Sequence, residues 1–333
     1  MYTEAITAQI EERADTMQAF ARRPRRLRST PEWDRREVEW WDANAALIER
    51  IWGLSEPLCR GARQRYIEDI GSRFLQLKAA RPLRILEIAC GSGWPGRILA
   101  SSALKVTGMD FSEGQIQIAR AKAVEMGQTN CDYVQMDINQ MNESFQSGQF
   151  DGAFIHCGIH HLSTAELIEF AELLGHSPKG FPTILVEPVY LDRAHFLGRL
   201  SGKVVTTIYR LLQYFVLSSF ERDEIVIQAL QELLQLATNN GWFFSPKEVP
   251  FDVGEVRRLF SPHFEIKEIT PVTYFGLSTA QYLTALKDQD QASRVAARVL
   301  PPLNSIDRLL IKTGLLPTLT TDYLFCRIVL IRK

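Results

Sequence analysis

A short glycine-rich stretch between Leu83 and Gly96 constrains the fold of this chain more than any other feature. It opens with an apolar run of strand length, Leu-Arg-Ile-Leu-Glu-Ile-Ala, and the glycines at 91, 93 and 96 follow. Glycine lets the backbone bend sharply and approach a ligand closely. Pro95 has a φ suited to the first turn of a helix. A strand, a glycine turn and a helix start form a cradle for a nucleotide-like ligand, because the first backbone N–H groups of the helix point at it.

From residue 84 onward, short apolar segments alternate with helical segments, the pattern of a parallel α/β sheet covered on both faces. The predicted strands cover residues 84–89, 105–110, 132–136, 151–157 and 182–187, and the predicted helices cover 95–103, 113–126 and 164–174. Two later strands, 263–274 and 323–332, complete a seven-stranded, mostly parallel, Rossmann-like sheet. A helix from Ser245 to about Phe260 is expected before them, and residues 278–316 are expected to be helical with a break at Pro301 and Pro302.

Four segments are expected along the chain: an N-terminal helical cap (1–80), the core of the sheet (81–190), a helical insertion (191–245) and the rest of the sheet with its helices (246–333). The insertion carries two apolar stripes at helical spacing. It follows the fifth strand, so we expect it to form a lid over the ligand-binding end of the sheet. A helical layer that only completes the core has the same pattern. The tryptophans of the first segment also fit either core or lid: Trp33, Trp40, Trp41 and Trp52.

Composition narrows the classes of function. The 333 residues are 46% hydrophobic and 23% charged, as in an ordinary globular protein with a sizeable core. A net charge of −1 gives no general attraction to nucleic acid or anionic membranes. The basic run from Arg22 to Arg28 is interpreted as a solvated linker in preference to a site for an acidic ligand. No nucleic-acid partner is therefore expected.

Targeting and cysteine patterns indicate where the protein acts. The sequence lacks the features of a signal peptide and of a transmembrane run. The five cysteines are scattered without a C-x-x-C pair, which argues for reduced thiols and against disulfides or a zinc site. We expect a cytoplasmic protein with no integral membrane segment and no metal, and the oligomeric state stays open.

Carboxylates mark the ends of the first three predicted strands. Glu87 lies four residues before Gly91, where it can meet an amino group or order the loop, because a buried carboxylate needs a partner. Asp110 ends the second strand, where an acid accepts hydrogen bonds from ribose hydroxyls. Asp137 follows the third strand, in position for an adenine amino group. The glycine spacing and Asp110 fit nicotinamide cofactors as well, so they do not identify the cofactor by themselves.

The ordered series E-x-x-C-G-S-G, D-F-S, M-D-I and F-D-G-A-F-I-H-C-G-I-H-H-L, together with the final strand, resembles the class I (Rossmann-like) S-adenosylmethionine-dependent methyltransferases. The resemblance covers residues 81–190 and implies S-adenosylmethionine as cofactor. It implies that Gly91 and Gly93 lie beneath the methionine part of the cofactor and that Asp110 binds the ribose. It also implies that the adenine is bordered by Phe111, Asp137 and Ile138. The cofactor-binding set is then Glu87, Ala89, Gly91, Gly93, Asp110, Phe111, Asp137, Ile138 and His156, with Cys157 beside His156. Pro95 stands where such loops often have a further glycine.

The catalytic candidates lie after the fourth and fifth strands. His160 and His161 follow the fourth strand, and a histidine can take the acceptor's proton near neutral pH, although both could simply pack the loop. Glu187 and Tyr190 end the fifth strand and are candidates for orienting the acceptor, and His195 in the insertion is a further candidate.

The expected activity is in-line methyl transfer to oxygen or nitrogen of a small, partly hydrophobic molecule, for which the protein supplies alignment and excludes water. One alternative is intramolecular cyclisation of S-adenosylmethionine, which would release methylthioadenosine. A nicotinamide enzyme and a non-enzymatic binding module are the others.

Overall fold

The computed structural model describes residues 31–52, 57–76, 82–138, 141, 148–191, 249–273, 275–283, 286, 288–316 and 324–333. The predictions for Arg22–Arg28, for His195 and for the insertion from residue 192 to 245 lie outside these residues. The helices are α1 (Pro31–Ala43), α2 (Ala45–Trp52), α3 (Pro57–Leu75), α4 (Trp94–Ser101), α5 (Glu113–Glu125), α6 (Thr164–Gly175), α7 (Val253–Phe260), α8 (Phe275–Leu283) and α9 (Gln289–Lys312). The strands are β1 (Arg84–Ile88), β2 (Lys105–Asp110), β3 (Cys131–Gln135), β4 (Gly152–His156), β5 (Pro182–Tyr190), β6 (Phe251–Asp252), β7 (Phe264–Thr273) and β8 (Leu324–Arg332).

The strands form one mixed sheet in the order β3-β2-β1-β4-β5-β8-β7. The first five strands run parallel, and β8 is antiparallel to both of its neighbours. The predicted Rossmann-like sheet and its antiparallel final strand are confirmed. The two-residue β6, which pairs with the end of β5, adds an eighth strand that is too short to leave a sequence pattern. The strand order reverses at β1 and β4, the place where open α/β sheets bind ligands.

Apolar residues cover both faces of the sheet, because successive strand residues point to opposite sides. Ile85 of β1 joins the cluster that contains Ile70 and Phe74 of α3. Leu86, the next residue, joins a second cluster with Phe170 of α6 on the other face. The strands between these layers are therefore anchored, and their carboxyl ends share one edge.

Two helix predictions in the C-terminal part were wrong in detail. The helix expected from Ser245 does not include residues 249–252; α7 begins at Val253, because the Asp252 side chain accepts a hydrogen bond of 2.8 Å from the Glu255 N–H and caps the helix.

The predicted break at Pro301 and Pro302 is also absent, since α9 continues through both. A proline inside a helix costs about 3 kcal/mol. Apolar packing on either side of the pair, by Leu300 and Leu303, offsets this cost. Among the described helices, none combines the length and apolarity needed to cross a bilayer.

Candidate active site

The glycine turn leaves β1 with two glycines in the left-handed region, Gly91 at a φ of 52° and Gly93 at 73°. A Cβ at Gly93 would lie 2.5 Å from the ring of Tyr133, so packing excludes any other residue there. Within the described parts of the chain, a Cβ at Gly91 would have one neighbour within 4 Å, the Oε1 atom of Gln115 at 3.8 Å. The backbone at Gly91 is therefore open to close approach by a ligand.

Two non-glycine residues at adjacent strand ends share this left-handed conformation. Ala89 follows β1 with a φ of 53°, and Cys157 follows β4 with a φ of 54°. A Cβ on Gly158 would lie 2.5 Å from the Cβ of Ala89, so the two strand ends pack tightly. Such backbone strain costs on the order of 1–3 kcal/mol per residue and concentrates at functional sites.

Glu87 lies beneath the turn and is fully buried. Its Oε1 accepts a hydrogen bond of 3.1 Å from the Gly96 N–H, while Oε2 has no hydrogen-bond partner among the described residues. Burial raises the pKa of Glu87 to about 8, and the nearby Arg97 guanidinium opposes this rise only in part. Of the two sequence interpretations of Glu87, the contacts fit the one in which it orders the loop.

Asp110 lies at the end of β2 beside the turn and is 7% exposed. Its Oδ2 accepts a hydrogen bond of 2.8 Å from the Gly91 N–H, and its Oδ1 accepts one of 2.9 Å from the Ser112 N–H. Burial raises the pKa of Asp110 to about 6, although the hydrogen bonds from the Ser112 and Gly91 N–H groups oppose this rise. The carboxylate thus connects the glycine turn to the start of α5.

The remaining predicted cofactor residues lie at the same edge of the sheet. The Phe111 carbonyl accepts a hydrogen bond of 3.1 Å from the Gln135 side chain, which connects the ends of β2 and β3. Asp137 is exposed and Ile138 half-buried just after β3. The structure therefore brings these residues next to Asp110.

His156, the last residue of β4, is held by aromatic side chains. Its Nε2 lies 2.8 Å from the Tyr66 hydroxyl, and the two rings stack at 11° with centroids 5.9 Å apart. The Trp94 ring meets His156 edge-on at 4.8 Å. Helices α3 and α4 therefore fix the position of this histidine.

His160 lies in the 3-10 turn Ile159–His161 and is held by Glu187 of β5. The His160 Nδ1 is 2.7 Å from the Glu187 Oε2. The other oxygen, Oε1, accepts hydrogen bonds from the Gly158 N–H at 2.9 Å and the Ile159 N–H at 3.0 Å. Glu187 is fully buried, so its contacts are with the loop and with His160. Tyr190, the fourth catalytic candidate, is half-buried at the end of β5, opposite Asp252 of β6.

His161 is held by the predicted N-terminal helical segment, through a contact with α1 that the sequence did not predict. Its Nδ1 lies 3.1 Å from the Oε1 of Glu37, and the Trp41 Nε1–H donates a hydrogen bond of 3.0 Å to the same oxygen. The Trp41 ring meets the His161 ring edge-on at 5.6 Å. The rings of His160 and His161 are themselves 4.1 Å apart. Two adjacent histidines thus each have a carboxylate partner.

Two further carboxylates of the N-terminal helices contact the same region. The Asp42 Oδ1 accepts hydrogen bonds from the Ser112 hydroxyl at 2.5 Å and the Gly114 N–H at 3.0 Å, at the start of α5.

Glu49 of α2 pairs with Arg97 of α4 at 2.9 Å and also accepts a hydrogen bond from the Ser92 hydroxyl in the glycine turn. Arg97 is 1% exposed, so this ion pair is buried. The only sequence signal for these contacts was the acidic character of the helices. Within the described residues, no group of three or more His, Cys, Asp or Glu side chains has the arrangement of a metal site.

Comparisons with known proteins agree with this geometry. Residues 85–176 match the family described as "Methyltransferase domain". A ubiquinone biosynthesis O-methyltransferase of Erwinia tasmaniensis is 35% identical over 68 residues, 20% of this chain, and the match covers only 27% of that protein. One of Pseudomonas aeruginosa is 28% identical over 197 residues, 59% of this chain and 70% of that protein.

The fold has solved counterparts as well. Magnesium protoporphyrin IX methyltransferase from Synechocystis PCC 6803, with bound SAH, has a TM-score of 0.50 and 13% identity, covering 89% of this chain and 97% of that one. The methyltransferase match also decides between the two cofactor classes that the glycine spacing left open. The core of the chain, residues 85–176, thus matches a methyltransferase domain, and the Rossmann-like sheet is similar to that of the class I S-adenosylmethionine-dependent methyltransferases.

Proposed function

We propose that this protein transfers a methyl group from S-adenosylmethionine to the phenolic oxygen of a small, partly apolar molecule. The observation that carries the proposal is the pair of carboxylate-bound histidines, His160 and His161, beside the glycine turn and Asp110. Two relatives that are named as ubiquinone biosynthesis O-methyltransferases support oxygen as the acceptor atom.

The residues at this edge of the sheet fit the cofactor. The Gly91 backbone accepts close approach, and the Asp110 carboxylate lies beside it. In the part of the chain that the structure describes, the buried Gln115 amide next to Gly91 has no hydrogen-bond partner for its oxygen or its nitrogen, which is unusual for a side chain in a protein interior. We propose that Gly91 and Gly93 border the amino-acid end, that Asp110 holds the ribose, and that Asp137 and Ile138 border the adenine. When bound, S-adenosylmethionine supplies a methyl group that is already activated on a sulfonium.

The chain's own contribution to the chemistry is alignment and proton removal. Glu37 can only accept a hydrogen bond, so the neutral His161 ring carries its proton on Nδ1 and its lone pair on Nε2. We propose that this Nε2 takes the acceptor's proton. His160, fixed by Glu187, packs against the His161 ring and keeps it in place.

The strength of this base restricts the acceptor. A phenolic hydroxyl has a pKa of about 10, as tyrosine does, and a histidine can share or take its proton during the reaction. An unactivated aliphatic alcohol holds its proton far more strongly. We therefore propose an aromatic hydroxyl as the acceptor, and a cap formed by the N-terminal helices α1 and α2.

The test is product identification with purified protein. Incubation with S-adenosylmethionine and 4-hexylcatechol, a phenol with an apolar tail, should yield S-adenosylhomocysteine and the O-methyl product in equal amounts. Incubation with S-adenosylmethionine alone should yield neither. Methylthioadenosine formed without an acceptor, well above its spontaneous rate, would replace the proposal with the cyclisation reaction. If no phenol of a panel were methylated while amines were, the acceptor atom would be nitrogen.

A further inference from the structure

Helices α1 and α2 attach to the body of the protein in part through buried carboxylates. Of their described side chains, two apolar residues are buried, Ala45 and Ile48, and so are two carboxylates, Glu37 and Glu49. Buried carboxylates are costly unless specific partners hold them, so the partners of Glu37 and Glu49 indicate what these helices do.

These carboxylates contact three separate elements of the site. Glu37 contacts His161 after β4, Asp42 contacts the start of α5, and Glu49 contacts the glycine turn and α4. The contacts of Asp42 and Glu49 fix the helix pair beside the cofactor-binding elements. Glu37 is thereby held opposite the histidine that the proposed function uses as its base.

From this arrangement we infer that Glu37 is a positioning residue: it selects the His161 tautomer that presents the Nε2 lone pair to the acceptor. Glu37 is 6% exposed, and the Trp41 indole N–H donates to the oxygen that faces His161. The indole hydrogen bond holds the carboxylate in one orientation. The inference rests on the proposed function for its catalytic consequence, but the tautomer itself is a property of the protein alone.

The first measurement is therefore spectroscopic and needs no substrate. In ¹⁵N-labelled protein above the pH at which histidines are charged, the nitrogen shifts of the His161 ring report which nitrogen bears the proton. The His161→Gln variant assigns the signals. We expect Nδ1–H in the wild type and in Glu37→Gln, whose amide oxygen can still accept, and a shift toward Nε2–H in Glu37→Ala.

The second measurement is kinetic, with S-adenosylmethionine and 4-hexylcatechol. General base catalysis contributes about 10²–10⁴-fold, so partial loss of the correct tautomer should lower kcat by roughly 10–100-fold in Glu37→Ala, with KM for S-adenosylmethionine unchanged. Glu37→Gln should recover most of this loss. Glu39→Ala is the matched control, because Glu39 lies on the same helix, 68% exposed, in a surface pair with Arg35. It should leave both the tautomer and kcat unchanged.

The outcomes separate the inference from the proposed function. An Nε2–H tautomer in the wild type, or an unchanged tautomer in Glu37→Ala, would overturn the inference whatever the activity. Equal losses of kcat in Glu37→Ala and Glu37→Gln without a change of tautomer would also overturn it, since they indicate a purely structural role. An absence of methyl transfer by the wild type, with the expected tautomer shifts, would leave Glu37 as the residue that sets the tautomer and refute the proposed reaction.

Discussion

The buried carboxyl group of Glu87 should make the stability of this protein fall as the pH rises, and Glu87→Gln should remove that fall. The folded-state pKa of Glu87 is about 8, against 4.5 for an unperturbed glutamate, because burial disfavours the charged form. Between these two values the folded state binds one more proton than the unfolded state. Stability from this group is therefore fully present below the unfolded pKa and is lost as the pH approaches and passes 8.

The size of the effect follows from the two pKa values. One pKa unit corresponds to about 1.4 kcal/mol, so Glu87 should contribute about 4 kcal/mol at pH 5 and less than about 1 kcal/mol at pH 8. Glu87→Gln keeps an oxygen that can accept the Gly96 N–H hydrogen bond and cannot ionise. Relative to the wild type, the variant should thus gain about 3–4 kcal/mol of stability between pH 5 and pH 8.

The assay is urea unfolding of both proteins at pH 5, 6, 7 and 8, because groups common to both cancel in the difference. Asp110, whose pKa is raised to about 6, is one of these common groups. Glu265→Gln is the control: this glutamate is exposed and pairs with Lys267 at the surface, so its removal should give a nearly constant difference. A difference for Glu87→Gln that stays constant within about 1 kcal/mol from pH 5 to pH 8 would refute the reasoning.

Three other predictions concern the cofactor edge and two further buried polar contacts. Asp110→Ala should weaken binding of S-adenosylhomocysteine by roughly 2–3 kcal/mol, or about 30–150-fold in calorimetry, because hydrogen bonds to a charged group are lost; a change below twofold would show that the ribose site lies elsewhere. Glu49→Ala leaves Arg97 buried without its ion-pair partner and should cost about 3–5 kcal/mol in chemical denaturation, whereas a cost below 1 kcal/mol would mean that the pair is solvated. Asp307→Ala removes the acceptor for the N–H groups of Phe275 and Gly276 and for the Thr273 hydroxyl, and should cost about 2–4 kcal/mol. Its control, Asp288→Ala at the exposed start of α9, should cost about 1 kcal/mol; both variants are measured by thermal melts, and equal costs would contradict the importance of burial.

The sheet could be predicted from the sequence because its signals are local. Apolar runs of strand length, Gly91 and Gly93, and the acids at strand ends each occur within a few residues of the element that they define. The ends of β1 to β4 and of α4 to α6 accordingly differ from the predictions by at most two residues. Only β5 extends further, by three residues to Tyr190, since its end pairs with the unpredicted β6.

The contacts of the N-terminal helices could not be predicted, because their partners are distant in the chain. Glu37 meets His161, and Glu49 meets Arg97, across separations that no periodicity encodes. A glutamate on a helix that faces a histidine after β4 has the same sequence signature as one that faces water. The exposed Glu39, two residues from Glu37, illustrates the point.

The C-terminal errors have a related cause. Pro301 and Pro302 are local signals for a break, and tertiary packing of the neighbouring leucines overrides them. Asp252 is a residue type that favours the N-cap of a helix, but Ser245 and Pro246, earlier in the chain, are an equally good signal for a helix start. Only the pairing of residues 251–252 with β5 distinguishes the two.

The position of β8 between β5 and β7 has a consequence for synthesis of the chain on the ribosome. Eight residues of β5, from Pro182 to Val189, pair with β8, which is made long after β5 has emerged. Until then, β5 is an edge strand whose unpaired N–H and C=O groups and apolar side chains can pair with another chain. The half of the protein that carries the glycine turn, His160 and His161 is thus synthesised first. It remains prone to aggregation until residues 324–332 have been synthesised and have paired with β5. The dependence of folding on chaperones should therefore increase with the time between the synthesis of β5 and the synthesis of β8. A slowly translated segment before residue 324 would lengthen this time.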